Sequence, residues 1–279
     1  LNDNEEKYFR SLKKEEQEEV VKKVKELVPF SDAMAQKIME DRIAAQEALR
    51  ITTEQDCLEL TETFTQKSIR SLPPNRSVVL DSLSRDTKGK YYDMEVQQWD
   101  NDDHLRRCTL IESNLNVMLS EQGMKFRDLP DFCVVFLTKE NFMYRHGLVG
   151  VKHCVYRTRS IVDGLGATIW MGREEIFVNA EEDDNPAVAA FMFFMKYGRG
   201  DSTLFPHFAA RYRYFTEEQE GIEEMCEVIE NYARKKEMKR TVTVLWEYGH
   251  SINEIVECLM KDFLIPYDEA IDFAKKYIG

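Results

Sequence analysis

A chain of 279 residues, 43% hydrophobic and 11% aromatic, has enough apolar material for one large or two modest cores, which excludes a fully disordered protein. Its formal net charge of −13 argues against a surface built throughout for nucleic acid, because phosphate binding is driven by Lys and Arg releasing condensed counterions. No apolar run approaches the roughly 18 to 20 residues that cross a bilayer, and the opening LNDNEEKYFRSLKKEEQEE is the opposite of a signal peptide, so a cytoplasmic protein with no membrane partner is expected.

The chain begins with a charged helical segment to about Val28, whose Val20, Val21, Val24 and Leu27 make one apolar stripe. Pro29 ends it, and Ser31-Asp32 can cap a helix from Ala33 to about Arg50 with Met34, Ile38, Met39 and Ile43 inward. Pro73-Pro74-Asn75 punctuates the approach to Ser77–Gln98, SVVLDSLSRDTKGKYYDMEVQQ. There an apolar run ending in Asp81 and a second run, Tyr91 to Gln97, flank the turn signal Asp86-Thr87-Lys88-Gly89 and predict a β-hairpin. Folding about that turn sets Asp81 opposite Met94 or Glu95, and period two puts Gln97 on the face of Glu95 while Val96 turns away. Two carboxylates roughly 5 Å apart repel unless a positive charge lies between them, and hard oxygen ligands suit Mg²⁺ or Mn²⁺. The plainer alternative is a pair of solvated acids on an edge hairpin.

Beyond the hairpin, Asn101-Asp102-Asp103 signals a helix from His104 to about Gln122, with Arg107 in its first turn. Arg107 could bind a phosphate, orient Gln97 or pair with a surface acid. Phe132 to Thr138 reads as a strand buried on both faces, running parallel to one hairpin strand, with short strands at Cys154–Thr158, Thr168–Met171 and Glu175–Asn179. Arg145, His146, Lys152, His153, Arg157 and Arg159 form a basic stretch that could line a positive groove. Asp184-Asn185-Pro186 opens a helix to about Tyr197 with Phe191, Phe194 and Met195 in the core.

Residues Thr216 to about Trp246 are helical and charged, with a seam of Ile222, Met225, Ile229 and Tyr232. A capping box at Ser251–Glu254 opens a helix to about Phe263, and Pro266 begins a last one through Tyr277. These helices suit packing or homo-oligomer formation better than groove reading, since Asp268, Glu269 and Asp272 oppose Lys275 and Lys276. Six separated cysteines, with no C-x-x-C pair, read as reduced and mostly buried.

Leu80-Asp81, the acidic turn with Gly89 and Glu95-Val96-Gln97 together resemble the PD-(D/E)XK nuclease superfamily. The closer likeness is to its recombination-promoting nuclease and transposase branch, in which Gln often stands at the usual motif Lys. Phe126-Arg127-Asp128-Leu129-Pro130 before the next strand continues the likeness, and Lys37-Ile38-Met39-Glu40-Asp41 resembles the family's opening with its aromatic missing, so it covers about Ser31 to Lys196. A departure lies in the helix after the hairpin, where Leu110-Ile111 replaces a Tyr pair and Glu112 a Gln.

The resemblance implies an α/β restriction-endonuclease-like core over 31–215, a mixed central sheet flanked by helices, with a helical appendage at 1–30 and a helical C-terminal extension at 216–279. It implies a Mg²⁺-dependent endodeoxyribonuclease, Mn²⁺ being an alternative, acting on DNA in recombination or mobile elements. Asp81, Glu95 and the Val96 carbonyl would be metal ligands, Gln97 would position water and Arg107 would assist. Glu40 and Glu47 are candidates for a further carboxylate, the plainer reading of each being an ordinary solvated helix residue. A lapsed nuclease fold that only binds DNA, and an interaction scaffold built on the C-terminal helices, are the other classes the residues allow.

Overall fold

The computed structural model describes residues 8–69, 78–98, 103–120, 122–162 and 164–278. Pro73-Pro74-Asn75, Ser77 and the Asn101-Asp102 part of the helix signal lie outside these described residues. The chain divides into two compact units, Glu26–Glu218 and a second made of Leu1–Lys25 with Gln219–Gly279.

The larger unit is a mixed α/β fold. Its strands are β1 (Leu60–Ile69), β2 (Val78–Asp86), β3 (Tyr91–Gln97), β4 (Phe132–Thr138), β5 (Val155–Thr158), β6 (Ser160–Val162), β7 (Ala167–Ile169) and β8 (Arg173–Asn179). Six of them form one sheet in the order β1, β2, β3, β4, β8, β5, while β6 and β7 make a separate ribbon. The predicted hairpin is β2 and β3, with Leu83 opposite Asp93 and Ser82 opposite Met94, within one residue of the expected register. Its turn closes by Gly89 N–H donating to the Asp86 carbonyl at 3.1 Å, with Gly89 at φ 87°, a conformation that favours glycine. The Asp86 carboxylate accepts from the N–H groups of Lys88 and Lys90 at 2.8 and 2.9 Å and so fixes the turn from within.

β4 is buried along its whole length between parallel β3 and β8, as its continuous apolar run requires. The helix α5 (His104–Leu119) covers one face of the sheet, placing Cys108, Ile111 and Leu115 against Phe132, Val134, Phe136 and Phe177. The other face meets α3 (Asp32–Met39) and α4 (Arg42–Thr53), with α7 (Pro186–Tyr197) and α8 (Pro206–Glu217) packed on α4.

Several expectations need correction. The single helix over Ala33–Arg50 is two, because the Asp41 carboxylate accepts from Ile43 N–H at 2.8 Å and Ala44 N–H at 3.0 Å and starts a new helix there. Ile43, expected inward, is 39% exposed. The helix after the hairpin stops at Leu119 rather than near Gln122. β1 and α8 were not foreseen. The strand expected around Thr168–Met171 is Ala167–Ile169, which pairs with β6 in the separate ribbon.

In the second unit, α9 (Gln219–Glu247), α10 (Ile252–Phe263) and α11 (Tyr267–Ile278) close a core of Met238, Val242, Ile255, Val256, Leu259, Ile265, Ala270 and Ala274. The capping box forms: Ser251 Oγ accepts from Glu254 N–H, and the Glu254 carboxylate accepts from Ser251 N–H at 2.7 Å. The N-terminal helices α1 (Tyr8–Ser11) and α2 (Lys14–Glu26) begin the chain, and Phe9 N–H donates to Glu227 of α9 at 3.0 Å. The seam foreseen on α9 ends early, since Ile222 and Met225 are buried but Tyr232 is 46% exposed. All six cysteines are free thiols, four of them buried. No helix among the described residues is long and apolar enough to cross a membrane.

Candidate functional site

β2 and β3 stop pairing in the regular ladder just where the predicted acids stand. Beyond Ser82 opposite Met94 the strands are tied through side chains instead. Asp81 N–H donates to Glu95 Oε1 at 3.1 Å, and Val96 N–H donates to Asp81 Oδ2 at 3.0 Å. Each carboxylate thus takes the place of a ladder carbonyl of its own strand. In an extended strand a residue's N–H and C=O point to the same edge, so the Val96 carbonyl faces β2 as well. Gln97 Nε2 donates to Glu95 Oε2 at 3.4 Å, so the amide lies beside the acid as period two requires.

The positive charge between the acids is supplied by the protein. The first turn of α5 brings Arg107 over the sheet, and its guanidinium bonds Glu95 Oε2 at 2.5 Å. Glu95 is fully buried and the Arg107 side chain is 38% exposed, so Arg107 is paired with neither a surface acid nor Gln97.

A third acid completes the group. Asp93 stands two residues before Glu95, on the same face of β3, and is 0% exposed with neither carboxylate oxygen hydrogen-bonded. The alternation that puts Gln97 on the face of Glu95 puts Asp93 there too, and Tyr91-Tyr92-Asp93-Met94-Glu95 carries that signal. Burial first, then the charges of Glu95 and Asp81, raise Asp93 well above the usual carboxylate range, with Arg107 opposing. Burial and then Glu95 push Asp81 up to about 7, against the Val96 N–H and Arg107. Glu95 is raised by burial and held down by Arg107 and the Asp81 N–H. Asp32, first residue of α3, adds to the negative field on Asp81, and its carboxylate accepts from Gln98 Nε2 at 3.1 Å. With one cation among these acids, burial and the neighbouring carboxylates favour the neutral form of Asp93.

Further along the same face, α5 sets Glu112 near Glu175 of β8, with Arg173 bonded to Glu112 Oε2 at 3.2 Å. Burial, then the neighbouring Glu175 carboxyl, raises Glu112 to about 8. Arg107 and Glu112 therefore serve two different acid groups, in line with their spacing on the helix.

The two helix carboxylates considered for the site do not join it. Glu40 is exposed and bonded to Lys37 at 2.6 Å. Glu47 is buried, but it accepts from Phe208 N–H at 2.9 Å, His207 N–H at 3.2 Å and His207 Nδ1 at 3.0 Å, where it caps α8. Four of the six residues of the basic stretch are engaged with acids. Arg145 bonds Glu140 and Glu181, Lys152 lies 3.6 Å from Glu182, His153 2.6 Å from Asp184, and Arg157 2.7 Å from Glu54.

Hard carboxylate and carbonyl oxygens, two of them unpartnered on Asp93, are the donor chemistry of a Mg²⁺ or Mn²⁺ site. Among the described residues, no three acid, His or Cys side chains converge at metal-binding distance in this state, in which Arg107 holds Glu95. No protein-family model matches the chain, and neither a curated protein nor a solved structure matches it.

Proposed function

We propose that the chain is a metal-dependent phosphodiester hydrolase acting on DNA, an endodeoxyribonuclease linked to recombination or mobile elements. The observation that carries this reading is the set of three acids where β2 and β3 part, with both Asp93 oxygens buried and unpartnered. Burying acids without partners costs free energy that packing alone does not recover, so such a group fits a reactive purpose better than a structural one. Asp81, Glu95 and the Val96 carbonyl, with Asp93 beside them, would hold Mg²⁺ or Mn²⁺, which when bound polarises the phosphate and lowers the pKa of water. Gln97 would orient a water through its amide, which contributes hydrogen bonds but no charge. The burden of offsetting phosphate charge falls on Arg107, whose exposed edge is open to a phosphate oxygen. Chemistry slower than with Lys at position 97 follows, and Gln97→Lys should accelerate it.

Supercoiled plasmid incubated with millimolar Mg²⁺ or Mn²⁺ should be nicked, and both Asp81→Ala and Glu95→Ala should abolish nicking. Activity that survives in both variants would overturn the assignment. The Arg107–Glu95 ion pair favours a second reading, a lapsed site on a protein that binds DNA without cutting it. Its signature is salt-sensitive DNA binding with no metal-dependent nicking.

A further inference from the structure

Arg145, Lys152, His153 and Arg157 are engaged with acids, and a larger group of basic residues stands on α9. The α9 helix is segregated by charge. Residues 219–230 carry Glu220, Glu223, Glu224, Glu227 and Glu230 with no base, whereas 234–240 carry Arg234, Lys235, Lys236, Lys239 and Arg240 against Glu237 alone. Met238 and Val242 are buried against α10 and α11 and define the inward side of this helix. At 3.6 residues per turn Lys236, Lys239, Arg240 and Thr243 fall on the outward side, and all four are exposed. Tyr232, 46% exposed, flanks them on that side. From α11, Lys276 joins: the ammonium groups of Lys239 and Lys276 lie 5.1 and 5.5 Å from the centre of the Tyr277 ring. Arg234 points the other way and donates to the Phe263 carbonyl. Arg10–Glu223, Lys23–Glu19 and His250–Glu254 are ion pairs of this unit, and among the described residues Lys236, Lys239, Arg240 and Lys276 have no carboxylate partner.

We infer that the outward face of α9, with Lys276 of α11, is a phosphate-binding surface for duplex DNA, a choice of ligand that rests on the DNA reading above. Lys236 and Arg240 are about 6 Å apart along the helix axis, close to two phosphate steps of one strand at about 3.4 Å each. Met238 and Val242 of α9 are turned into the bundle, and the outward face offers cations with Tyr232 and Val244 beside them, too little apolar surface for a stripe that enters a bilayer. The Tyr232 ring beside the basic row also suits stacking or van der Waals contact with sugar and base edges.

The test is fluorescence anisotropy of the full-length chain with a labelled duplex in EDTA, over a range of salt, comparing wild type, K236A/K239A/R240A and the control K13A/K14A/K22A. Each phosphate contact contributes about −0.9 to the slope of log K against log salt, so the first triple variant should bind at least about tenfold more weakly with a slope shallower by about 2 to 3. The control, with the same change in net charge, should bind as wild type does. Equal weakening by both triples would overturn the inference, because net charge alone would then account for it. So would wild-type affinity in K236A/K239A/R240A, or binding of that face to phosphatidylserine vesicles in place of DNA. Circular dichroism of each variant separates lost contacts from lost folding. Because metal is absent, binding with the full slope but no nicking elsewhere would sink the nuclease reading and leave this surface standing. Nicking by a chain whose affinity ignores α9 would do the reverse.

Discussion

Removing the Arg107 guanidinium would leave Glu95 fully buried beside two other acids with no cation. Breaking a buried ion pair from one side costs about 3 to 5 kcal/mol, and the partly exposed guanidinium places this case at the low end. Arg107→Ala should therefore lose about 3 kcal/mol near pH 8 and much less near pH 5, where Glu95 can take up a proton instead. Urea denaturation at both values checks this, and an equal loss at both would refute the role given to Arg107. At this scale the sequence was informative to the extent that strand alternation and turn chemistry determine neighbours. Asp81, Glu95 and Gln97 were legible because Asp86 to Gly89 fixes the register. Asp93 obeyed the same rule and needed only consistent counting. The Arg107–Glu95 bond was not legible, because it depends on how α5 lies over the sheet, a tertiary fact that no spacing encodes.

Elements with strong local signals were readable: the buried strand β4, the Asn185 cap with Pro186 at the start of α7, and the capping box of α10. The edge strand β1 was not, since Thr61, Glu62 and Thr63 follow no apolar alternation and its pairing with β2 supplies what propensity lacks. The break between α3 and α4 was missed because an Asp inside a periodic run gives no sign of whether its carboxylate will turn back onto the backbone. Glu47 illustrates how an element can claim a residue that looked functional. Its carboxylate satisfies two N–H groups at the start of α8, so Glu47→Ala should destabilise the protein by about 1 to 2 kcal/mol and leave plasmid nicking at the wild-type rate. Thermal melts and nicking assays of the same preparation test both halves, and lost nicking with unchanged stability would return Glu47 to the reaction.

For the whole molecule, net charge gave the wrong emphasis, since the acids that matter are the few that are buried. Asp81, Asp93, Glu95 and Glu112 all have native pKa values raised above their usual ones, with Asp81 at about 7 and Glu112 at about 8. Between the ordinary carboxylate value and those raised values the native state holds more protons than the unfolded chain. The slope of stability against pH is then negative, by up to about 1.4 kcal/mol per pH unit for each proton of difference. Asp184 works in the opposite sense: its bonds to His153 and the Cys154 N–H hold it down at about 2, so its contribution is present above the ordinary carboxylate value and fades as pH falls toward 2. Stability should therefore peak on the acid side of neutrality and decline steadily from about pH 5 to about pH 8. Glu112→Gln removes one such group without touching the Asp81 to Arg107 cluster, so it should flatten the decline and raise the melting temperature near pH 8 relative to wild type. Scanning calorimetry of both proteins at intervals across that range measures the slopes directly. A wild-type curve that is flat or rises toward pH 8 would mean that these acids are already ionised in the native state, and the charge balance drawn around Arg107 would fail with it.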